Sequence, residues 1–465
     1  MKLYFKLRYK QIVAISLVLI TFLFITKNGF TQQSLTLFHL KPIPENNYSN
    51  PAIIPSYELH FGVPGLSSLG VSYGNSGFKV TDLIERRTDD SLTLKVDNFV
   101  NKLKKKNNLT VEFREELINY GMKYWDYYFT FNVSERVDCY WNYPKDLFSI
   151  LWKGNGGFLD KTANFSENSL KVTHYREYAI GASRELNSQW TVGAKVKLLF
   201  GKSNLWTKKF DAGLYTDPET FEITSNSNLH INSSVPKAFS SSNEDFKFGK
   251  YFWSGKNPGL AFDLGGIYKL NDEFTFSASI LDLGFISWKN NPQNFKNENV
   301  SWTFQGIDVN DFIDETDSVI EARIDNLQDS LIDKFNIVES SDKYTTALTS
   351  KVILGGVYNL SDIETVGLLV RNTIFDRRIR TSITASYNRK FHDIISAAAS
   401  YTVINRNMAN LGLGFVVNLE PFQIYAATDN IVGMFAPNRV KYYNFQFGIN
   451  FVFGQKTEKS APLIR

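Results

Sequence analysis

Residue types that support metal or covalent chemistry are sparse in this sequence of 465 residues. The five histidines show neither a His-Glu-x-x-His motif nor a paired ligand spacing, and the single cysteine, Cys139, excludes a disulfide framework or a cysteine-based zinc site. Gly65–Gly70 lacks the spacing of a nucleophile elbow, and Gly154–Gly157 lacks the Lys-Ser/Thr of a phosphate-binding loop. We interpret both stretches as turns, and we predict no catalytic residue, no metal site and no cofactor.

The charge balance disfavours one class of partner, and the composition shows an excess of aromatic residues. The formal net charge is +4, but the first 31 residues contain five basic residues and no acidic one, so the remaining chain has 46 basic and 47 acidic residues. This balance disfavours nucleic acid as a partner. Aromatic residues make up 15% of the sequence, with 38 Phe and 23 Tyr, although the hydrophobic fraction is an ordinary 43%. The aromatic excess therefore requires a structural explanation.

Residues 1–31 have the order of a cleavable export signal. Four basic residues lie within Met1–Lys10, the apolar run Ile12–Ile25 follows, and Gly29-x-Thr31 supplies small residues at a loose cleavage site. The alternative is a membrane-spanning anchor, which requires roughly 20 apolar residues, whereas this run has 14. We predict cleavage between Thr31 and Gln32, and export of the mature chain.

Most of the remaining sequence alternates between apolar and polar residues. In Trp190–Gly201 the even positions are apolar and the odd positions are mostly small or charged, and in Tyr443–Gly454 the odd positions carry Tyr, Phe and Ile. Leu411–Leu419, Ile379–Tyr387 and Phe274–Ile280 repeat the pattern. Because successive side chains of a strand point to opposite faces, each segment predicts a strand with one apolar and one polar face.

The alternation has two interpretations, a soluble β-sandwich and a transmembrane β-barrel. The strands of 9 to 14 residues match the roughly 9–11 residues that cross a bilayer at a tilt, and an aromatic apolar face suits contact with lipid. The export signal supplies the compartment. We predict an all-β, transmembrane, antiparallel up-and-down barrel in the cell outer membrane, in contact with its lipid and inserted by the barrel assembly machinery.

Loop lengths predict the topology of this barrel. Long connections alternate with six very short ones, and six hairpins provide 12 strands. The strands Leu66–Gly74 and Lys441–Gly454 raise the number to about 14, with the short turns in the periplasm and the long loops outside. The barrel is predicted at 66–454 and a periplasmic tail at 455–465. The short connections are Trp125-Asp126, Asn187-Ser188, Asn271-Asp272, Ser361-Asp362, Lys390–His392 and Glu420-Pro421, and the longest are roughly Asn75–Arg114, Pro144–Ser169, Lys202–Pro258 and Lys289–Thr345.

Two of the long loops carry helical patterns. Asp308–Asp333 contains nine acidic residues and one basic residue, with apolar residues at helical spacing. This acidic helix is either a solvent-exposed cover of the barrel mouth or a cap that binds calcium or a partner, and both interpretations remain open. A second short helix is predicted at Pro144–Lys153, where Asp146 lies in the first turn.

The segment 32–65 resists regular strands. It contains five prolines together with Asn46, Asn47 and Asn50. An irregular segment that enters a barrel is tolerated in the lumen, where water or wall side chains satisfy its backbone. The segment is therefore either a small N-terminal hatch or a disordered leader.

Several motifs resemble known families. Asn50-Pro51-Ala52, just before the first barrel strand, is similar to the hatch motif of the FadL-like family of 14-stranded outer-membrane transporters for hydrophobic molecules. This resemblance implies a hatch with Asn50, Pro51 and Ala52 as its site residues, and it transfers no residue of a ligand pocket. Four further stretches resemble a family of Bacteroidota outer-membrane barrels that has no assigned activity. They are Ser134–Asp138, Pro144–Phe148, Tyr175–Gly181 and Leu214–Pro218.

Two functions follow as hypotheses. The first is passive uptake of hydrophobic or amphiphilic small molecules through a gated lumen. The second is a non-transporting scaffold or shuttle barrel that binds secretion-system proteins through its external loops. A continuous apolar cavity that opens through the wall would favour uptake, and a lumen filled by mutually paired charged side chains would favour scaffolding.

Overall fold

The computed structural model of the chain describes residues 35–40, 43–236, 247–305, 333–375, 378–391, 394–404 and 409–454. The predicted signal peptide, nearly all of the acidic segment Asp308–Asp333 and the predicted tail 455–465 lie outside the described residues and stay predictions.

The described residues form 22 strands, numbered in chain order. They are β1 (Leu59–Gly62), β2 (Leu69–Asn75), β3 (Ile84–Arg86), β4 (Leu92–Leu94), β5 (Lys106–Tyr124), β6 (Tyr127–Pro144), β7 (Thr162–Asn164), β8 (Ser169–Glu185), β9 (Trp190–Thr216), β10 (Ile223–Ser234), β11 (Asn257–Lys269), β12 (Phe274–Trp288), β13 (Pro292–Phe304), β14 (Val338–Ser340), β15 (Tyr344–Ala347), β16 (Ser350–Asn359), β17 (Glu364–Phe375), β18 (Arg378–Phe391), β19 (Ile395–Ile404), β20 (Ala409–Leu419), β21 (Phe422–Thr428) and β22 (Tyr442–Phe453).

One antiparallel sheet closes on itself to form the wall of a barrel. Strands β1 and β2 together occupy one position, because both pair with β5 on one side and with β22 on the other. From β5 the wall continues through β6, β8, β9, β11 and β12, then through β15 and β16 in one position, and through β17 to β22 in order. Within the described residues this makes 14 wall positions, which confirms the predicted antiparallel up-and-down barrel.

Five of the six predicted short connections lie between consecutive wall strands, and the sixth, Lys390–His392, begins in β18 and ends at His392, outside the described residues. The turn at Trp125-Asp126 joins β5 to β6, and the turn at Glu420-Pro421 joins β20 to β21. These five are at one end of the barrel, called here the short-turn end, and the opposite end is the long-connection end. The first wall strand begins at Leu59, earlier than the predicted Leu66, and it is interrupted between β1 and β2. The interruption contains Pro64, which has no N–H for the ladder, and Gly65, which has φ +74°.

Three predicted long connections are shorter than expected because they contain strand. Strand β5 already begins at Lys106, β9 continues to Thr216, and β10 and β13 lie inside the segments predicted as loops. These parts form a sheet that extends beyond the wall, where β10 pairs with β9 on one side and β13 on the other. The sequences of β10 and β13 do not alternate regularly between apolar and polar residues, so these two strands within the long connections were not predicted.

Short helices occupy the long connections. The predicted helix at Pro144–Lys153 is confirmed as Lys145–Lys153, with Asp146 in its first turn and Gly154 (φ +70°) at its end. The other α-helices are Val80–Leu83, Val96–Lys102, Phe248–Phe252 and Ile431–Phe435, and the 3-10 helices are Leu37–His39, Pro44–Tyr48, Gly156–Phe158 and Pro437–Arg439. None of the helices in the described part of the chain is long and apolar enough to cross a membrane.

The two faces of the wall differ as the alternation predicts. On β9, Val196 and Leu198 are exposed on the outer face, whereas Lys195 and Lys197 are buried on the inner face. On β22, Asn444 is likewise buried and its neighbours are partly exposed. The wall therefore has an apolar outer surface and a polar lumen.

Candidate functional site

The lumen is occupied by the chain's own N-terminal segment. Residues 35–40 and 43–58 are called the inner segment here. It contains two short 3-10 helices, Leu37–His39 and Pro44–Tyr48, because Pro44 fixes the first helical position and the prolines that follow prevent a strand. Most of its described side chains are buried, including Leu35 at 2% and Asn50 at 1% exposure. The predicted irregular segment thus lies inside the wall.

Asp429 holds the beginning of the inner segment at the long-connection end. It follows β21, and its carboxylate accepts hydrogen bonds from the backbone N–H groups of Leu35 (2.9 Å) and Thr36 (2.7 Å) and from the Thr36 hydroxyl (2.6 Å). The Tyr442 hydroxyl and the Asn444 amide donate to the same carboxylate at 3.0 and 2.8 Å. Five donors therefore satisfy this fully buried carboxylate.

Glu45 and Tyr48 hold the middle of the inner segment. The Glu45 carboxylate accepts from the side-chain amides of Asn119 on β5 (3.2 Å) and Asn450 on β22 (2.9 Å). The Tyr48 ring lies beneath the Arg114 guanidinium, 3.8 Å from its centroid, and 5.0 Å from the Lys195 ammonium. These contacts hold the middle of the segment against β22, β5 and β9.

Asn50-Pro51-Ala52 forms a tight turn against the wall. The Asn50 side-chain oxygen accepts from the Ala52 N–H at 2.9 Å, and its amide nitrogen donates to the backbone carbonyls of Gly266 (3.3 Å) and Ala278 (3.4 Å). Asn47 donates to the Pro51 carbonyl at 3.0 Å. The Asn50 side chain therefore bonds to the backbone of both the turn and the wall, and it connects the turn to β11 and β12.

Two apolar clusters join the inner segment to the wall. Leu37, Leu40 and Ile43 pack on inner side chains of β19, β20 and β21, whereas Leu35 and Phe38 pack on β12, β16 and β17. The wall residues of the first cluster are Ala398, Val416, Tyr425 and Ala427, and those of the second are Leu281, Ile353 and Leu369. The segment thus covers two apolar patches of the lumen, and a third apolar cluster, centred on Leu199 and Trp288, lies apart from it.

A network of buried ion pairs lies in the lumen beside the second apolar cluster. Asp282 on β12 lies at its centre and contacts Arg136 (3.1 Å), Lys197 (2.6 Å) and Lys351 (3.0 Å). Lys197 also contacts Asp263 at 2.7 Å. All of these side chains are less than a tenth exposed. Each charge removed from water has a partner of opposite sign, as buried charges require.

Asp282 was missed at the sequence level, although the pattern contained a signal for it. Strict alternation from Phe274 to Ile280 assigns position 282 to the apolar outer face, which an aspartate cannot occupy. The structure resolves this conflict by a register shift in the pairing of β11 with β12, and Asp282 has φ +57°. Its backbone N–H donates to Asp263 at 2.7 Å. The bulge turns Asp282 into the lumen.

A small cavity lies between the inner segment and the ion pairs. Its volume is about 50 Å³, and both apolar and basic side chains line it. Its lining includes three apolar residues and five basic ones together with the acidic Glu45 and Asp282; the apolar residues are Leu37, Leu281 and Ile353, and the basic residues are Arg114, Arg136, Lys197, Lys351 and Arg371. This space is far smaller than the roughly 300–1,000 Å³ of ordinary small-molecule pockets. This cavity is therefore too small for a molecule of that size.

A second polar cluster lies beneath the helix Phe248–Phe252 at the long-connection end. The Glu135 carboxylate accepts from Arg176, from Lys202 (2.6 Å) and from His174 Nε2 (3.1 Å). Burial raises the pKa of the Tyr251 phenol to about 12, and the Glu135 charge adds to the shift, so the protonated phenol donates to His174 Nδ1 at 2.6 Å. No group of three or more metal-ligating side chains is found within the described residues.

The wall and the lumen together define a class, a closed β-barrel that holds its own N-terminal segment. The family model described as "Family of unknown function (DUF5723)" matches residues 51–429, which is most of the chain, so the protein belongs to that family. This confirms the predicted membership in a family without assigned activity, and a Bacteroidota origin stays a prediction. No curated protein matches the sequence.

Solved structures similar to this chain include three barrels. The Ralstonia pickettii toluene transporter TbuX is 8% identical with a TM-score of 0.41, covering 88% of this chain and 92% of its own. The Pseudomonas putida toluene transporter TodX is 10% identical with a TM-score of 0.38, covering 91% and 94%. A Pseudomonas aeruginosa FadL homologue is 12% identical with a TM-score of 0.41, covering 92% and 100%. Because these TM-scores are below 0.5, no conclusion about function follows from them.

Proposed function

We propose that the protein is an outer-membrane barrel for the uptake of hydrophobic or amphiphilic small molecules, with the inner segment as its gate. The single observation that carries this proposal is the amphipathic cavity beside the inner segment. Leu37 of the segment, Leu281 and Ile353 of the wall and five basic side chains line the same space of about 50 Å³. A molecule with an apolar body and a polar end would find both kinds of surface there.

Enlarging this cavity requires movement of the inner segment. The segment covers two apolar patches of the wall, and no other described element fills that part of the lumen. If its leucine and phenylalanine side chains withdraw, the patches join the cavity and offer a larger apolar surface. A hydrophobic ligand gains free energy by replacing those side chains, so ligand binding and movement of the gate are coupled.

The outer face of the wall supports the proposed location in the outer membrane. It exposes large apolar side chains such as Phe262, Leu264 and Phe415, each at 42% or more. Such a surface is unfavourable in water and favourable in lipid. We place the short-turn end in the periplasm and the long-connection end outside the cell, as in other outer-membrane barrels.

The scaffold hypothesis has one specific observation in its favour. Paired charges around Asp282 fill much of the lumen, and a rigid, charge-filled lumen needs no ligand. In that alternative, the sheet formed by β9, β10 and β13 at the long-connection end is the surface that binds a partner, and the inner segment never moves.

Ligand binding to the native barrel separates the two hypotheses. The full-length protein is purified from outer membranes in a mild detergent, and organic extracts are compared by mass spectrometry with those of an unrelated barrel purified in parallel. Uptake predicts an enriched amphiphile and passage of a fluorescent long-chain amphiphile into vesicles that contain the protein. Absence of both would contradict uptake and favour the scaffold.

A further inference from the structure

The wall beneath the Asn50–Ala52 turn has an unusual surface. Four consecutive wall strands place small residues side by side, because Ser183 pairs with Gly193, Gly193 with Gly265, and Gly265 with Ser279. These residues belong to β8, β9, β11 and β12. Glycine inside a strand weakens it, since no side chain packs there, and it often marks a place where another backbone approaches closely.

The inner segment makes such an approach at both glycines. A Cβ atom added at Gly193 would lie 2.6 Å from the Ala52 nitrogen and still closer to the Pro51 carbonyl. A Cβ atom added at Gly265 would lie 2.8 Å from Pro51 Cδ and 3.1 Å from the Ala52 nitrogen. Carbon atoms that are not bonded to each other do not pack this closely, so either side chain would displace the turn.

The two glycines are not equivalent. At Gly193 the nearest atoms all belong to the backbone of Pro51 and Ala52, which cannot rotate away. At Gly265 the nearest atom is the Asn50 side-chain oxygen, which can move if it gives up its hydrogen bond to the Ala52 N–H. A substitution at Gly193 should therefore displace the turn more than the same substitution at Gly265.

The neighbouring polar contacts hold the turn in this depression. The Ser279 hydroxyl donates to the Ser49 carbonyl at 2.6 Å, and Asn50 donates to the Gly266 and Ala278 carbonyls. These bonds require the turn to lie directly on the wall backbone. They would lengthen beyond hydrogen-bonding distance if a methyl group raised the turn.

We propose that Gly193 and Gly265 form a seat for the inner segment, and that the missing side chains at these two wall positions keep the lumen closed. They are positioning residues of the wall, and they act only through the Asn50–Ala52 turn. The inference rests on the proposed function in one respect, namely that the inner segment is the gate. The seat itself is tested by the position of the segment, independently of transport.

The chain offers a matched control within the same strand. Gly266 follows Gly265 on β11, and a Cβ atom added there would have no neighbour within 4 Å. Gly266 contributes only its carbonyl to Asn50, and Gly266→Ala preserves that group. The variants Gly193→Ala, Gly265→Ala and Gly266→Ala therefore differ in their contact with the inner segment, while each adds one methyl group to the wall.

Hydrogen exchange of the refolded barrels measures how firmly the seat holds the inner segment. We expect exchange in the peptide that covers residues 43–58 to be at least about tenfold faster in Gly193→Ala than in the parent, with a smaller increase in Gly265→Ala and none in Gly266→Ala. Unchanged exchange of this peptide in a folded Gly193→Ala barrel would overturn the proposal. Faster exchange without any passage of the amphiphile would support the seat and contradict the uptake function.

A second pair of variants covers the case in which the substituted barrel does not fold. Gly193→Val is made in the parent and in a chain whose Asn50, Pro51 and Ala52 are replaced by three glycines, which can yield to the added side chain. Folding that is restored in the second chain supports the seat. Loss of folding in both chains shows that the wall itself needs the glycine, and it overturns the proposal.

Discussion

Two groups of wall strands contribute different side chains to the same lumen. The neutral strands, β19 to β22, contain no charged residue at all, whereas the charged strands, β5 to β12 along the wall together with β16, supply the ion pairs around Asp282. The inner segment lies between them. Its apolar residues Leu37, Leu40 and Ile43 pack on the neutral strands, and Leu35 and Phe38 pack on β12, β16 and β17. Its Tyr48 and Asn50 contact the charged strands.

This difference indicates which surface is fixed and which can exchange partners. Removing one partner of a buried ion pair lowers the free energy of unfolding by several kcal/mol. The ion pairs therefore hold the charged strands in one arrangement. Apolar contacts are not directional, so the neutral strands accept other apolar groups at similar free energy. Under the proposed function, an apolar molecule would replace the apolar side chains of the inner segment both on the neutral strands and beside Leu281 and Ile353. The ion pairs of the charged strands would meanwhile keep the shape of the wall.

The largest expected effect on stability comes from breaking the ion pairs of the charged strands. Asp282→Ala leaves Arg136, Lys197 and Lys351 without their shared carboxylate, and we expect a loss of about 3–5 kcal/mol in the free energy of unfolding. Urea unfolding in vesicles, followed by the heat-modifiable band on gels, measures it. Asp272→Ala, at an exposed turn residue, is the control and should change stability little. Equal stability of both variants would show that the ion pairs do not hold the wall.

The next effect tests the two faces of a neutral strand. Phe447→Arg places a charge on the outer face of β22, at a cost of roughly 2–4 kcal/mol near the middle of a bilayer, whereas Gln446→Arg directs the charge into the polar lumen and costs less. The yields of the folded, heat-modifiable band of the two variants are compared after assembly. Equal yields would contradict a lipid-facing outer surface on the neutral strands.

A smaller effect is expected where the inner segment begins. In Asp429→Asn, one carboxylate oxygen becomes an NH₂ donor facing the N–H of Leu35 or Thr36, and the lost hydrogen bonds cost about 1–3 kcal/mol. We expect faster hydrogen exchange in residues 35–40 without a change in the wall strands.

The control for Asp429 is Asp217→Asn. Its carboxylate also accepts two backbone N–H groups, from Glu219 and Thr220 at 2.9 Å, but in an exposed loop. It should leave the inner segment unchanged. Equal exchange in residues 35–40 for both variants would mean that Asp429 does not anchor the segment.

The parts of this fold that the sequence predicts are those set by a repeating physical constraint. The apolar outer face and the polar inner face of the wall impose the alternation of β9 and β22, and tight turns need residues such as Asn187 and Asn271, whose side chains accept backbone N–H groups. Both the faces and the short connections in the described part of the chain were therefore predictable. The same reasoning failed at β10 and β13, whose sequences do not alternate regularly.

The lumen was only partly predictable. Asn50-Pro51-Ala52 stands out locally, because its residue types favour a turn with side-chain to backbone hydrogen bonds. The seat at Gly193 and Gly265 and the pairing of Asp282 with Lys351 depend on strand register, which joins residues far apart in the chain. Asp282 occupies a position where the alternation requires an apolar residue, and this was the only sign of a bulge. No local signal indicated the partners of Asp282.

Asn50→Ala combined with Pro51→Ala should have the smallest effect on stability. It should also have the most direct effect on uptake. The double variant removes the hydrogen bonds to the Gly266 and Ala278 carbonyls and the fixed bend of the turn, at about 1 kcal/mol for each typical hydrogen bond. Folding yield should stay near that of the parent, because no outer-face contact changes, while passage of a fluorescent long-chain amphiphile increases. Asn187→Ala is the control, since its side chain also accepts backbone N–H groups but lies in an exposed turn. If parent, double variant and control all fail to bind or pass the amphiphile, the neutral strands are not a ligand surface, and scaffolding becomes the better explanation of the barrel.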